Sequence, residues 1–158
     1  TGSPYTLRPA ENDDRAFLER VYAESRADEL ARTDWTDEQK AAFCRQQFQA
    51  QDAHYRRHHP DCEFLIIEQA GRPRGRLYLD RRPGELRIVD IALLTAERGR
   101  GLGGRIMADL LRLAAADGDF VRIHVERNNP ARRLYDRLGF VLEEEGEVYD
   151  LLVRKIPV

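Results

Sequence analysis

Residues 97–105 read Glu97-Arg98-Gly99-Arg100-Gly101-Leu102-Gly103-Gly104-Arg105, a stretch with four glycines and three arginines. Glycine lets a backbone turn sharply and approach a ligand closely, because it carries no Cβ. A strand-like run comes before the stretch, and after Gly101 apolar residues recur at helical spacing until Asp117 and Gly118. The stretch therefore predicts a strand, a tight loop and a helix that begins beside the loop.

The predicted loop has the chemistry of an anion site. The first amides of a helix lack partners within the helix, and the helix dipole places positive charge there. Arg98, Arg100 and Arg105 add cations locally, in a chain whose formal net charge is only -2. A pyrophosphate is the natural ligand for such a loop. The alternative is a strand-to-helix turn that needs glycine for its geometry alone.

Two nucleotide-binding motifs also depend on closely spaced glycines. Gly99, Gly101 and Gly104 match the spacing G-x-G-x-x-G of dinucleotide-binding folds. In those folds the glycines follow the first strand, whereas three or four predicted strands precede them here. A P-loop requires Gly-Lys-Ser/Thr after the glycines, and this chain has none there. The context therefore argues against both motifs.

Hydrophobic periodicity and turn residues predict the elements around the loop. The first helix starts at residues 12–14, and the second has a capping box at Thr36 and Gln39. The fourth is predicted to have Asn129 as its cap and Pro130 at its first position. The predicted strands are residues 5–8, 63–68, 76–80, 86–94, 120–126, 140–142 and 148–156. We predict an α/β fold with a mixed, mostly antiparallel sheet of about seven strands and four helices, in the order β-α-α-β-β-β-α-β-α-β-β.

Length and composition limit the class of protein. A chain of 158 residues with 42% hydrophobic residues suits one domain over residues 1–158. The nearly balanced charge gives no overall field that would favour nucleic acid or an anionic membrane. No apolar run approaches the roughly 18 residues of a spanning helix. Cys44 and Cys62 have no zinc or disulfide spacing, so we expect free thiols, no metal and a cytoplasmic location.

A second motif lies downstream of the glycine loop. It runs over residues 128–140, where a predicted helix places Ala131, Leu134 and Leu138 on one face. With both motifs in this order, the chain resembles the GCN5-related N-acetyltransferase (GNAT) superfamily. Arg98-x-x-Gly101-x-Gly103 is similar to its pyrophosphate motif. Asn128-x-x-Ala131-x-x-x-Tyr135-x-x-x-Gly139-Phe140 is similar to its second motif, and the resemblance covers nearly the whole chain.

The resemblance implies a binding mode for acetyl-CoA as the cosubstrate. The cofactor would lie where the fourth and fifth strands splay apart, with its pantetheine arm against backbone groups of the fourth strand. Its pyrophosphate would accept hydrogen bonds from amides of the glycine loop, and the Asn128 side chain would bond the pantetheine arm. No metal is implied. The implied cofactor-binding residues are Ile91, Ala92, Leu93, Arg98, Gly99, Arg100, Gly101, Leu102, Gly103, Gly104, Asn128, Ala131 and Tyr135.

The implied reaction is attack of a neutral amine on a thioester carbonyl. A backbone N–H near Leu93 could stabilise the oxyanion. We hypothesise that Tyr135 protonates the thiolate that leaves, although it could instead be an aromatic residue at the edge of the core. Asp90, His124 and Glu126 are candidates for the general base. Each of these could equally be a strand residue that faces solvent or an ion-pair partner.

The acceptor is predicted only as a primary amine of a small molecule or a protein. The resemblance places acceptor contacts in the first two helices, and the set there suggests an aromatic, slightly acidic pocket, with ordinary helix packing as the alternative. Its members are Tyr22, Asp28, Glu29, Trp35, Phe43 and Tyr55. A homodimer through the C-terminal strands would also fit the resemblance. The alternative function is a non-catalytic module that binds acyl-CoA as a sensor or recruits a partner.

Overall fold

The structure, a computed structural model, describes residues 4–127 and 129–155. Its strands are β1 (Tyr5–Pro9), β2 (Glu63–Gln69), β3 (Arg72–Arg82), β4 (Glu85–Leu93), β5 (Phe120–Glu126), β6 (Val141–Glu144) and β7 (Tyr149–Arg154). Its helices are α1 (Arg15–Leu30), α2 (Asp37–His58), α3 (Leu102–Asp117) and α4 (Arg132–Arg137). The sheet has the order β1-β2-β3-β4-β5-β7-β6, and β4 and β5 form its parallel pair. The predicted fold class and element order are confirmed.

Local signals set the starts of the first two helices. A 3-10 turn at Asn12–Asp14 leads into α1, which begins at Arg15. At α2 the predicted capping box is present: the Thr36 hydroxyl accepts from the Gln39 amide at 3.1 Å, and the Gln39 side chain accepts from the Thr36 amide at 2.9 Å. Two donors that a helix start leaves without partners are thereby satisfied.

The prediction for the start of α4 was wrong by two residues. The helix begins at Arg132 with Ala131 at its N-cap position, so Pro130 lies before the helix. The Asn129 side chain accepts from the Ala131 amide at 2.8 Å. Asn129 therefore closes a turn two residues ahead, a common use of asparagine, instead of capping the first helical turn.

Side chains alternate between the two faces of the sheet, as strand geometry requires. On one face Ile67, Leu77 and Ile88 pack under α3, whose residues Ile106 and Met107 are fully buried against them. On the other face α1 and α2 cover the sheet through smaller clusters that include Ile66, Tyr78 and Val89. The site described below lies between these two layers, at the end of β4.

The predicted splay between the fourth and fifth strands is present. β4 and β5 pair only from Glu85 opposite Phe120 to Ile88 opposite Ile123. Against β3 the register shifts after Ile88, since Leu79 lies opposite Ile88 and Tyr78 lies opposite Asp90. Val89 is therefore the extra residue of a β-bulge, and a bulge bends and twists its strand. Beyond it β4 continues to Leu93 and diverges from β5.

Two further features of the fold bear on membrane spanning and on self-association. Among residues 4–127 and 129–155, no helix combines the length and the apolar character needed to cross a bilayer. The edge strand β6 is exposed along its length, and its Val141 side chain is 60% exposed. The homodimer through the C-terminal strands stays a prediction.

Candidate active site

The open edge of β4 lies at the centre of the candidate site. On the β3 side Ala92 pairs with Arg76 and Leu93 pairs with Gly75. On the β5 side the register ends at Ile88, so residues 89–93 have no strand partner on this side among the described residues. The side chains of Ile91 and Leu93 pack against the core under α3, which fixes this edge in place. Ile91, Ala92 and Leu93 are thus where an added strand could pair.

The glycine loop follows β4 directly along the chain. A 3-10 turn at Thr95–Glu97 leads to Gly101, which is the N-cap residue of α3 with φ +83°. That left-handed conformation strongly favours glycine, and the position of a Cβ on Gly101 has no neighbour within 4 Å. Since glycine has no side chain to cap the helix, the first amides of α3 remain available to an anion.

Arginines surround this loop. The Arg98 Nε atom donates to the Leu93 carbonyl oxygen at 3.3 Å, which ties the loop to the end of β4. Arg74 pairs with Glu97 at 2.9 Å. A cavity of about 240 Å³ lies against the loop beside the β2–β3 turn. Its lining residues are Gln69, Ala70, Arg74, Glu97, Arg100, Leu102 and Arg105.

Sequence reasoning missed the residue that anchors the start of the loop. Glu24 of α1 accepts a hydrogen bond from the Thr95 amide at 2.7 Å. Burial by itself would raise the pKa of Glu24. The hydrogen bond from Thr95 and the contact with Arg20 outweigh burial, so the pKa of Glu24 is lowered. No local pattern signals a contact between positions so far apart in the chain. Glu24 therefore fixes the junction between β4 and the loop from the α1 side.

Tyr135 lies in α4 and is only 5% exposed. Its ring packs edge-on against Phe140, with the ring centroids 5.9 Å apart. Burial, followed by the negative charge of Asp90, raises the pKa of Tyr135 to about 12. The hydroxyl is therefore a neutral donor at ordinary pH, as the predicted acid requires. The tyrosine also belongs to the core, as the alternative interpretation held.

The second motif is only partly described. Asn128, which the resemblance placed on the pantetheine arm, lies outside the described residues. Ala131 packs partly against the core. Asp150 of β7, which sequence reasoning missed, accepts from Arg132 at 3.1 Å and from the Gly146 amide at 3.3 Å. These bonds tie α4, and with it Tyr135, to the β6–β7 connection.

The three candidates for the general base have different surroundings. Asp90 lies just beyond the bulge, and its Oδ2 atom is 2.5 Å from Nε of Arg76. Glu126 lies at the end of β5 and pairs with Arg26 of α1 at 3.1 Å. His124 lies with its ring 6.1 Å from that of His59 at the end of α2.

The surroundings of His124 differ from those of the other two candidates. Its Nε2 atom is buried and has no hydrogen-bond partner among the described residues. Burial, followed by the positive charges of Arg87, His59 and Arg82, lowers the pKa of His124 to about 4. The imidazole is therefore neutral near pH 7. Of the three candidates, Asp90 is the one whose charge raises the pKa of Tyr135.

The structure separates the predicted acceptor pocket into two clusters. Tyr22 and Phe43 pack in the cluster between α1 and α2, where Trp35 also meets Phe43 at 5.2 Å. Tyr55 lies in another cluster, edge-on to Tyr78 at 5.6 Å. The Glu29 carboxylate pairs with Arg26 at 3.1 Å. The first two helices therefore do not unite these side chains into one pocket.

The described residues contain no group of three or more His, Cys, Asp or Glu side chains arranged to hold a metal ion. The rings of His54 and His58 lie 4.2 Å apart at the end of α2. Cys44 and Cys62 are free thiols.

The sequence profile described as the acetyltransferase (GNAT) family matches residues 13–140, a span that includes the open β4 edge, the glycine loop and α4. The chain belongs to this family. Membership identifies residues 13–140 as a domain of the acetyltransferase class.

One relative is mycothiol acetyltransferase from Corynebacterium aurimucosum. The chain is 44% identical to it over 68 residues, which are 42% of this chain. The match spans only 22% of the length of that protein.

Solved structures share the fold over almost the whole chain. PaiA N-acetyltransferase from Thermoplasma acidophilum, solved with coenzyme A, has a TM-score of 0.69 and 16% identity, covering 96% of this chain and 99% of its own. A GCN5-related N-acetyltransferase from Rhodopseudomonas palustris has a TM-score of 0.68 and 20% identity, covering 99% and 98% respectively. At these identities the likeness shows the fold alone.

Proposed function

We propose that this GNAT domain transfers the acetyl group of acetyl-CoA to a primary amine of a small molecule or a protein. The acceptor amine attacks directly in a ternary complex. One observation carries the proposal: the edge of β4 is open beyond Ile88, directly beside the glycine loop that begins α3. Such an edge accepts an extended ligand as an added strand, and the loop accepts its phosphates.

The residues present fit the cosubstrate. Backbone groups of Ile91, Ala92 and Leu93 would pair with the pantetheine arm. The amides that follow Gly101 would bind the pyrophosphate, and the cations around the loop favour a ligand with that charge. When bound, acetyl-CoA supplies an acetyl group activated as a thioester. The coenzyme A in the PaiA N-acetyltransferase structure supports this choice of cosubstrate.

Catalysis would use groups that the fold already holds in position. A backbone N–H near Leu93 would stabilise negative charge that develops on the carbonyl oxygen. Tyr135 would donate its hydroxyl proton to the sulfur as the amine displaces it, and a carboxylate, Asp90 or Glu126, would take the proton that the attacking nitrogen loses. With its pKa raised to about 12, the Tyr135 hydroxyl keeps its proton across the neutral pH range and is available as a donor, although it is a weaker acid than an ordinary tyrosine. Holding both substrates in one cleft would supply much of the remaining rate.

The test measures thiol release from acetyl-CoA in the presence of a panel of primary amines, together with the affinity for acetyl-CoA by calorimetry. The proposal expects binding and amine-dependent thiol release. Tight binding without release from any amine, including peptide N-termini and lysine side chains, would favour the non-catalytic sensor. Absence of acetyl-CoA binding would remove both functions. The cytoplasmic location remains a prediction.

A further inference from the structure

Arg76 on β3 is a cation buried within the fold. Its side chain is only 4% exposed and lies on the sheet face that α2 covers. The guanidinium carbon is 5.0 Å from the centroid of the Tyr78 ring. Burying a charge is costly unless charged and hydrogen-bonding partners compensate for lost water. The partners of Arg76 therefore indicate what this residue is for.

Two partners hold the guanidinium. Its Nε atom lies 2.5 Å from Oδ2 of Asp90, and its Nη2 atom donates to the Gln51 side chain of α2 at 2.9 Å. Its Nη1 atom is buried without a hydrogen-bond partner among the described residues. Burial disfavours the charged form, but Asp90 outweighs this effect, and the pKa of Arg76 is raised. Gln51, Arg76 and Asp90 thus form a chain from α2 to β4.

The far end of this chain lies in the cleft. Asp90 follows the bulge at which β4 leaves β5, and its side chain keeps 22% exposure despite the ion pair. Its charge also contributes to the raised pKa of Tyr135, after burial. The charge of the carboxylate therefore reaches the proposed acid, although the two side chains belong to different faces of the sheet. It faces the layer between the sheet and α2, opposite the α3 core against which Ile91 and Leu93 pack.

We propose that Arg76 is a positioning residue for the acceptor. The chain from Gln51 through Arg76 fixes the Asp90 carboxylate at the opening of the splay, and this carboxylate receives the ammonium group of the incoming amine. The inference rests on the proposed acetyl transfer and adds to it the side of the cleft from which the acceptor enters. Arg76 acts through Asp90 and touches neither the acetyl-CoA nor the amine.

The planar guanidinium explains why arginine suits this position. It donates from two directions at once, so a single side chain reaches both a carboxylate and an amide oxygen in fixed geometry. A lysine has three donors on a single nitrogen, so it lacks the fixed fork that reaches two separated partners. Without Arg76, the Asp90 side chain would lose the contact that sets its direction.

The experiment compares Arg76→Gln with Arg81→Gln, using the amine of the panel that gives the fastest thiol release. Arg81 is a matched control on the same strand, because its pair with Glu63 is exposed on the surface. We expect Arg76→Gln to raise the KM for the amine by roughly tenfold to a hundredfold, as for a lost charge-assisted hydrogen bond. The affinity for acetyl-CoA should change little. Arg76→Lys should recover only part of the loss.

Asp90→Asn tests whether Arg76 works through Asp90. In that background, adding Arg76→Gln should raise the KM for the amine by less than about twofold, because the group that Arg76 positions has already lost its charge. A purely structural role would give additive effects and would weaken acetyl-CoA binding as well. If Arg76→Gln does not fold, Gln51→Leu replaces it, with an expected rise of several-fold.

An unchanged or lowered KM for the amine in folded Arg76→Gln or Gln51→Leu overturns the inference. This outcome differs from a failure of the proposed function, in which the unsubstituted protein releases no thiol with any amine.

Discussion

Gly75 of β3 lies so close to β4 that a Cβ on it would be 2.4 Å from the Ala92 carbonyl oxygen and 2.8 Å from a methyl carbon of Leu93. Only glycine permits this approach, and the two β4 residues concerned belong to the open edge. β3 therefore supports the proposed cosubstrate edge through close backbone contact.

Gly75→Ala should push the end of β4 outward. We expect a loss of about 1–3 kcal/mol in the free energy of unfolding, as for overpacking, together with weaker acetyl-CoA binding. Denaturant unfolding and calorimetry measure the two effects. Gly71→Ala is the control, because its Cβ would have no neighbour within 4 Å although its φ is +73°. Equal loss of affinity in both variants would mean that β4 geometry does not matter.

Gly101→Ala tests the glycine loop. Gly101 and Gly84 both have left-handed backbone conformations, with φ values of +83° and +74°, and neither would crowd a Cβ. Alanine should therefore cost about 1–2 kcal/mol of stability at either position. Only Gly101→Ala should reduce acetyl-CoA affinity, by roughly tenfold or more, because its loop relaxes and turns the helix amides away. A similar affinity for the two variants would place the diphosphate elsewhere.

Tyr135→Phe should lower turnover while acetyl-CoA still binds. Loss of a general acid commonly costs roughly 10²-fold or more in rate. Because the pKa of Tyr135 is raised to about 12, we expect the unsubstituted enzyme to keep its activity up to at least pH 10 as far as this hydroxyl is concerned. Tyr5→Phe is a suitable control, since its hydroxyl bonds Asp109 of α3 outside the cleft. Equal turnover in both variants would remove the acid role.

His124 should make stability depend on pH. The folded imidazole takes up a proton near pH 4, whereas the unfolded one does so near 6.5. Between these values the unfolded chain binds more protons, so the free energy of unfolding falls as the pH falls, by at most about 1.4 kcal/mol per pH unit. His124→Gln should flatten this decline. The measurement is denaturant unfolding at several pH values from 7 to 4, and parallel curves for the two proteins would contradict the assignment.

Much of the fold could be predicted because its signals are local. The capping box at Thr36 and Gln39 spans one helical turn, and the glycine loop contains its own turn chemistry. The start of α4 was misplaced because the Asn129 side chain can close either a turn or a helix cap, and neighbouring residues do not distinguish the two. The predicted acceptor residues of α1 and α2 were grouped because the resemblance places acceptor contacts in these helices, whereas packing placed Tyr55 apart from Tyr22.

The sequence by itself determined the order of elements, the glycine loop that begins the third helix and the membership of the two motifs in one domain type, since each depends on residues a few positions apart. Only the tertiary structure decided where β4 parts from β5, because the bulge at Val89 appears only when β3 and β4 are in register. It also decided which side chains meet in the cleft. The Arg76–Asp90 and Glu24–Thr95 contacts join different elements of the fold. Burial at these contacts fixes the charge and the orientation of the side chains, which no local sequence pattern specifies.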